Sequence, residues 1–400
     1  MKAPVFLSLA LLATALAESQ TMAAPAGFAI EVSLENSSLP RLPMYRNAIT
    51  SLIVEGDYAI AGTSASNGLS PYVFAASLSR REVLTICPLE EAVRGQRSIP
   101  GGFARGGDGS LYAGTVPQST SGSGHLIRIV VRGRELAITD LGIPAPAEGV
   151  LTVAADPKRQ MIYGLTYPSG RFFSFHLPDR KPTLYNETAP DQTALKTLSE
   201  YVLKPDEYLS RRLVVDGSGR VFGSLPLGGI FRFDPNTRKL QIWKDALPSL
   251  SGHRALARAD AWALAPDGTL YGGNAADGQL FTLNPVTGRV VNLGKPAMTP
   301  RIEGLAFASD GVLYGVTGGR PGYVHLFSYD PHHGFRDFGA PVAIMKAPGI
   351  DGGIPWIGYQ IATVAASADR RSLVLGEDEA LSQLLVISVE RLRSDRGSTF

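Results

Sequence analysis

Apolar and polar positions alternate along most of the chain in short runs broken by Asp-Gly, Asn-Pro and glycine-rich turns. That is the period of half-buried β-strands rather than of helices. One pattern recurs. A turn followed by an apolar-aromatic-small triplet appears as LYA at 111–113, IYG at 162–164, VFG at 221–223 and LYG at both 270–272 and 313–315. Weaker copies are AIA at 59–61 and LVL at 373–375. The small position falls at Ala61, Ala113, Gly164, Gly223, Gly272 and Gly315, and Leu375 breaks the pattern in the last copy. Successive copies are 52, 51, 59, 49, 43 and 60 residues apart. A small residue there is expected to let adjacent sheets approach closely.

A second signature follows each triplet: YVFAASL from 72, GHLIRIVV from 124, GRFFSFHL from 170, GGIFRFDP from 228, GQLFTLNP from 278, YVHLFSYDP from 323 and SQLLVISV from 382. Each unit reads as four strands: one entering the Asp-Gly-type turn, one with the triplet, one with the second signature, and one after turns such as NPVTGR. Seven four-stranded units of roughly 50 residues predict an all-β, seven-bladed β-propeller. The last unit lacks its fourth strand, whereas GFAIEVSL at 27–34 belongs to no unit. That segment is therefore expected to supply the outermost strand of the last blade and close the ring, hiding an exposed edge. Residues 187–210 carry Ala194, Leu195, Leu198, Tyr201 and Val202 at helical spacing and predict a helical insertion between blades three and four. It would cover an apolar patch or form a rim beside a site.

Composition narrows the classes of function. Glycine (44) and proline (28) are abundant, as short strands and tight turns require. Lys and Arg against Asp and Glu give 38 − 36 = +2, too balanced for nucleic acid or an anionic membrane as principal partner. Residues 1–17 read as a secretory leader: a lysine, an apolar run, and Ala15-Leu16-Ala17 before Glu18. A flexible segment at 18–26 would follow, the propeller at 27–390, then a charged tail at 391–400. No later segment is long and apolar enough to span a bilayer, so a secreted or periplasmic location is expected. Cys87 is the only cysteine, which excludes an internal disulfide and multi-cysteine metal sites. Asn36 and Asn186 lie in glycosylation sequons.

In a propeller of this strand order, blade-to-blade loops and second-to-third-strand loops emerge on one face. The starts of the innermost strands carry Arg46, Arg97, Glu148, Arg211, Asp260, Glu303 and Gln360, expected around the channel mouth. Tyr208, Arg212, His253, Arg254, Arg301, Trp356 and Tyr359 lie nearby, and Tyr167, Asn274, Asp277 and Arg320 come from the other loops. Arginines, a few carboxylates, tyrosines and a tryptophan match an anionic sugar, because guanidinium pairs bidentately with carboxylate and aromatic rings pack on sugar faces. Arg46, Arg97, Arg301, Arg320, Trp356, Tyr359, Tyr167 and Asn274 are the candidate ligand-binding residues. His125, His325, His332 and His333 are assigned to surface or packing, and His176 falls at the end of a third strand.

The blade motifs, such as IEGLAFASDGVLYG and GQLFTLNPVTG, resemble those of secreted bacterial-type seven-bladed propellers. That superfamily includes streptogramin lyase-like proteins, lactonase and metal-dependent esterase propellers, and propellers acting on uronic-acid glycans. The resemblance covers nearly the whole mature chain and implies architecture; it carries no catalytic residues across. Three functions follow as expectations. The first is β-elimination on a uronate glycan, with Arg211 or Arg254 neutralising the carboxylate, His253 as base and Tyr208 as acid. The second is noncatalytic binding of a small molecule, oligosaccharide or protein. The third is a metal-dependent hydrolase in which Glu148, Asp260 and Glu303 hold calcium. No cofactor is favoured, since no compact Asp-rich loop exists and the neighbouring arginines repel a cation.

Overall fold

The computed structural model describes residues 25–33, 41–43, 45–66, 68–250, 252–318, 322–347, 349–379 and 381–394. The leader, Asn36, Arg320 and the end of the charged tail lie outside them. Seven sheets, antiparallel but for one pairing in the last, are arranged as blades around one axis, as the repeat predicts. The innermost strands are Ala48–Glu55, Ala104–Arg105, Gly149–Asp156, Val214–Val215, Ala259–Leu264, Ile302–Phe307 and Ile361–Ala366. Blade 3 shows the common order, with Gly149–Asp156, Met161–Tyr167, Phe172–His176 and Lys181–Tyr185 each paired to the next. Its inner three strands are mostly buried, whereas Lys181–Tyr185 is solvated on its polar side.

The triplet's small residue has a cause inside each sheet rather than between sheets. Gly164, Gly223, Gly272 and Gly315 pair directly across strands with Phe173, Phe231, Phe281 and Phe327. A Cβ on those glycines would come within 2.2–2.6 Å of the phenylalanine ring. The ring lies flat over the backbone opposite, so only glycine fits there. Where the partner is Phe74 or Ile127 the small residue is Ala61 or Ala113. Leu375 faces Leu385, which leaves room for a side chain. The break in the motif thus follows its cross-strand partner.

Gly27–Ile30 pairs antiparallel with Leu384–Ser388, completing the last blade with a strand from the other end of the chain. It is not the outermost strand there. A hairpin, Val342–Ala347 with Ile350–Ile357, adds two more strands, the first running parallel to Gly27–Ile30. This hairpin fills the longest of the intervals between repeats. The chain after the last blade begins as a helix, Val389–Ser394, whose Val389 and Leu392 pack into the blade 7 core.

Polar pairs repeat at the outer edge of the blades. His125 Nδ1 meets Asp140 at 2.9 Å and His325 Nδ1 meets Asp337 at 2.7 Å, each joining the start of a third strand to the end of a fourth. In blade 5 the same positions hold Gln279 and Asn292, 2.8 Å apart. Asp140, Asn292 and Asp337 then accept the backbone N–H of the glycine two residues on. These histidines latch strand ends, which is the packing role assigned to them from sequence.

Ring closure depends on backbone contact at Gly27. A Cβ there would lie 1.8 Å from the Val386 carbonyl oxygen. Gly27→Val is expected to cost about 3 kcal/mol or more by forcing the closing strand off the sheet. Gly217→Ala, where a Cβ meets nothing within 4 Å, should cost far less. Equilibrium denaturation of both variants checks the difference.

Candidate functional site

Five of the seven innermost strands carry a β-bulge at one position. Pairing runs from Ile49 to Ser51, Val150 to Thr152, Ala259 to Ala261, Ile302 to Gly304 and Ile361 to Thr363, leaving one residue out each time. The residues left out are Thr50, Leu151, Asp260, Glu303 and Ala362. An extra residue in one strand bends it and re-aims its side chain. All five line a single cavity of about 270 Å³. Blades 2 and 4, whose inner strands are only two residues long, contribute loop residues instead, Pro100 with Gly101 and Arg211 with Arg212. A smaller chamber of about 170 Å³ lies next along the channel, lined from every blade by Leu52, Phe103, Val153, Val214, Ala261, Leu305 and Val364. Gly101, Arg212 and Glu303 border both spaces, so the cavity sits on the propeller axis.

Of the residues expected at the mouth, Arg97, Tyr167, Arg211, Asp260 and Glu303 line this cavity, with Arg212. Asp206, from the short helix Pro205–Tyr208, and Asp378 complete its charged wall. From the insertion, Asp206 stands in the wall, and Leu198, Tyr208 and Leu209 pack with Leu151 behind it. Asp191 caps the insertion's helix, Gln192–Glu200, by accepting the Ala194 N–H at 2.8 Å.

Two consecutive blades place an arginine two residues before the bulged acid. Arg258 Nε donates to Asp260 Oδ1 at 2.8 Å, with both side chains almost wholly buried. Arg301 Nη1 stands 3.7 Å from Glu303 Oε1. Burial alone would raise the Asp260 pKa, but Arg258, Arg211 and Arg301 together hold it below the usual carboxylate range. For Arg211 burial favours loss of the proton, and Asp260, Glu303, Asp378 and Asp206 overcome it. Burial wins at Arg301, whose pKa is lowered despite Glu303. The wall is therefore a mixed-charge lattice. Asp260 Oδ2 and Glu303 Oε1 remain without a hydrogen-bond donor, and Arg258 Nη2, on the arginine bonded to Asp260, remains without an acceptor.

The other candidates lie elsewhere. Arg46 donates from Nε to the Ser70 carbonyl at 2.6 Å and covers the Tyr72 ring at 4.4 Å. It precedes the bulge by four residues and does not reach the axis. Glu148 is held within blade 3 by Arg171 and by Ser169 Oγ at 2.5 Å. Trp356 Nε1 donates to Glu377 Oε1 at 3.0 Å and the Tyr359 N–H donates to the same oxygen at 2.9 Å, which ties both to a buried carboxylate in blade 7. Asn274 is buried, its amide donating to the Pro248 carbonyl at 2.5 Å. Arg254 pairs with Asp245 at 3.1 Å beside a separate surface groove. Tyr208 is packed behind the cavity wall, where burial raises its pKa. His253 Nδ1 is locked to the fully buried Asp277 carboxylate at 2.5 Å, and the ring does not line the cavity. Arg320 lies outside the described residues. Among the described residues no three His, Cys, Asp or Glu side chains are placed to hold a metal ion.

Asp206, Arg258 and Asp378 were not singled out from sequence. The paired spacing Arg258-Ala259-Asp260 and Arg301-Ile302-Glu303 was the available signal for Arg258.

No protein-family model matches the chain, and no curated protein does. Solved structures do. Virginiamycin B lyase from Staphylococcus aureus superposes with a TM-score of 0.60 at 9% identity, over 90% of this chain and 98% of that one. The Cps50 (Swd1) β-propeller domain of Myceliophteria thermophila gives 0.56 at 12%, over 86% and 96%. The extracellular domain of a putative hybrid two-component system from B. thetaiotaomicron gives 0.55 at 12%, over 90% of this chain and 40% of that one. At such identities the likeness is one of fold.

Asp260→Asn should leave Arg258 buried without its counter-charge and destabilise the fold by about 3–5 kcal/mol. The pH dependence has a definite sign. A carboxyl whose pKa is lowered by folding, from about 3.9 in the unfolded chain, adds stability at pH above that value and loses it as pH falls through the folded value. Denaturation measured from neutral to strongly acid pH should therefore show a steeper acid loss in the parent than in Asp260→Asn.

Proposed function

We propose that the chain is an exported propeller that binds a small polyhydroxylated carboxylate, of the uronate class, in the axial cavity and releases it unchanged. The observation that carries this is the pair of orphaned acceptors, Asp260 Oδ2 and Glu303 Oε1, in a wall that also presents arginine. Buried acceptors without donors are costly. Sugar hydroxyls would supply the missing donors. Arg97, exposed at the rim, has no carboxylate partner among the described residues and lies 5.7 Å from the Tyr167 ring centroid. Its guanidinium would take the ligand's carboxylate while the Tyr167 ring borders the sugar. A volume of about 270 Å³ is near the lower end of ligand pockets, which fits one sugar ring better than an extended chain.

Elimination would need a base at the C5 proton and an acid at the leaving oxygen. His253 and Tyr208, the residues expected in those roles, do not line the cavity, so the elimination reading loses the base and acid it was built on. Export draws support from the leader-like sequence of residues 1–17 and from extracellular domains among the proteins of similar fold.

Titration calorimetry with galacturonate and galactose tests this. The acid should bind at least tenfold more tightly than the neutral sugar, the worth of about one charge-assisted hydrogen bond. Arg97→Ala should bring the acid down to the level of the neutral sugar, and short oligogalacturonates should emerge uncleaved. Equal affinity for the two sugars, no saturable binding by any uronate, or the appearance of unsaturated product would each overturn the proposal.

A further inference from the structure

A second cleft lies on the opposite side of the propeller, between blades 3 and 4. It has a volume of about 440 Å³ and opens beside the turns that join first to second and third to fourth strands. Its blade 3 wall is one face of three strands, from which Met161, Tyr163, Ser174, His176, Thr183 and Tyr185 project. Phe233, Pro235 and Arg238 close it from blade 4. Alternation along each strand puts every second side chain on this face, so the cleft follows directly from the strand period.

Tyr163 lies at the back. Its ring is fixed at 5.9 Å from Phe172 and 5.6 Å from Phe233, and the residue is 1% exposed. Its hydroxyl has no hydrogen-bond partner. Burial, with Asp156 nearby, pushes the phenol pKa up, so the group stays a neutral donor. A buried O–H without a protein acceptor calls for a partner, such as water or a bound ligand.

The basic side chains around it divide into two kinds. Arg159 is engaged: it donates to Asp156 Oδ2 at 2.6 Å and to Asn236 Oδ1 at 2.8 Å, and so spans the two blades. His176 is held by Asp179 at 2.6 Å. Lys181 and Arg238 form no ion pair among the described residues. The cleft thus combines an orphaned donor, two uncommitted cations, and an apolar wall made by Tyr185, Phe233, Pro235 and Met161.

We propose that this cleft is a second ligand site, which takes one oxyanion carried on a flat or compact apolar body. The oxyanion accepts from the Tyr163 hydroxyl and is neutralised by Lys181 and Arg238, while the apolar body rests against Tyr185 and Pro235. Carboxylate, sulfate ester and phosphate ester share this chemistry, and a titration distinguishes them. The site is independent of the axial cavity.

The test is a set of thermal-shift and calorimetric titrations at constant ionic strength with benzoate, phenyl sulfate, phenyl phosphate and, as the uncharged control, benzyl alcohol. At least one anion should raise Tm saturably while the alcohol does not, and the strongest of the three identifies the anion class. Lys181→Ala combined with Arg238→Ala should weaken that binding at least tenfold with little change in the Tm of the free protein. Tyr163→Phe removes a donor that has no partner. The free protein's Tm should then hold or rise, and the Tm increase produced by the anion should shrink. Arg97→Ala, in the axial cavity, should leave all of this intact. No saturable response to any anion, or a response unchanged by the double substitution, would overturn the proposal. A Tyr163→Phe variant that melts lower yet binds the anion as tightly would do the same, since the hydroxyl would then be satisfied within the protein.

Discussion

A bulge repeated at one position in a closed ring is the constraint on which the site depends. Closure by Gly27–Ile30 fixes seven innermost strands around one axis. Within that ring the residue left out of pairing has little choice but to face the channel. Five blades use the same device, so the chemistry of the cavity reduces to which residue each blade places there: Thr50, Leu151, Asp260, Glu303 and Ala362. The scaffold sets the positions, and the residue at each position sets the chemistry.

Those charges carry an energetic cost that shapes the site. Arg258 and Asp260 are buried together, and a buried ion pair seldom outcompetes a well-packed apolar alternative in stability. A wall with three arginines and four carboxylates, two of whose oxygens lack donors, is poorly explained as a device for holding blades together. The apolar work is done elsewhere, in the aromatic layers between blades, where Tyr163, Phe172, Phe231 and Phe233 interlock. The axial polarity is thereby left free to meet a ligand.

How much of this was legible in the sequence differs between fold and site. The blades announce themselves because a small residue faces a large one across the strands, and the glycine–phenylalanine form of that pairing recurs at Gly164, Gly223, Gly272 and Gly315. The hairpin at Val342–Ala347 and Ile350–Ile357 was not anticipated, since it carries neither triplet nor signature and shows only as a long interval. For the cavity, strand starts could be located to within a few residues, which was enough for Asp260, Glu303 and Arg211. It was not enough for Arg46 or Glu148, because a bulge leaves no local mark in composition and shifts which side chain faces the axis. Tertiary partners mislead in the same way. His253 has the chemistry of a base, yet a carboxylate from the following loop, Asp277, holds it away from the cavity.

The most direct measurement is a high-resolution crystal structure of the protein soaked with galacturonate. The account predicts one sugar in the axial cavity, its hydroxyls within about 3 Å of Asp260 Oδ2 and Glu303 Oε1 and its carboxylate on Arg97. A cavity holding only ordered water that satisfies both acceptors, with the sugar absent or bound elsewhere, would contradict it.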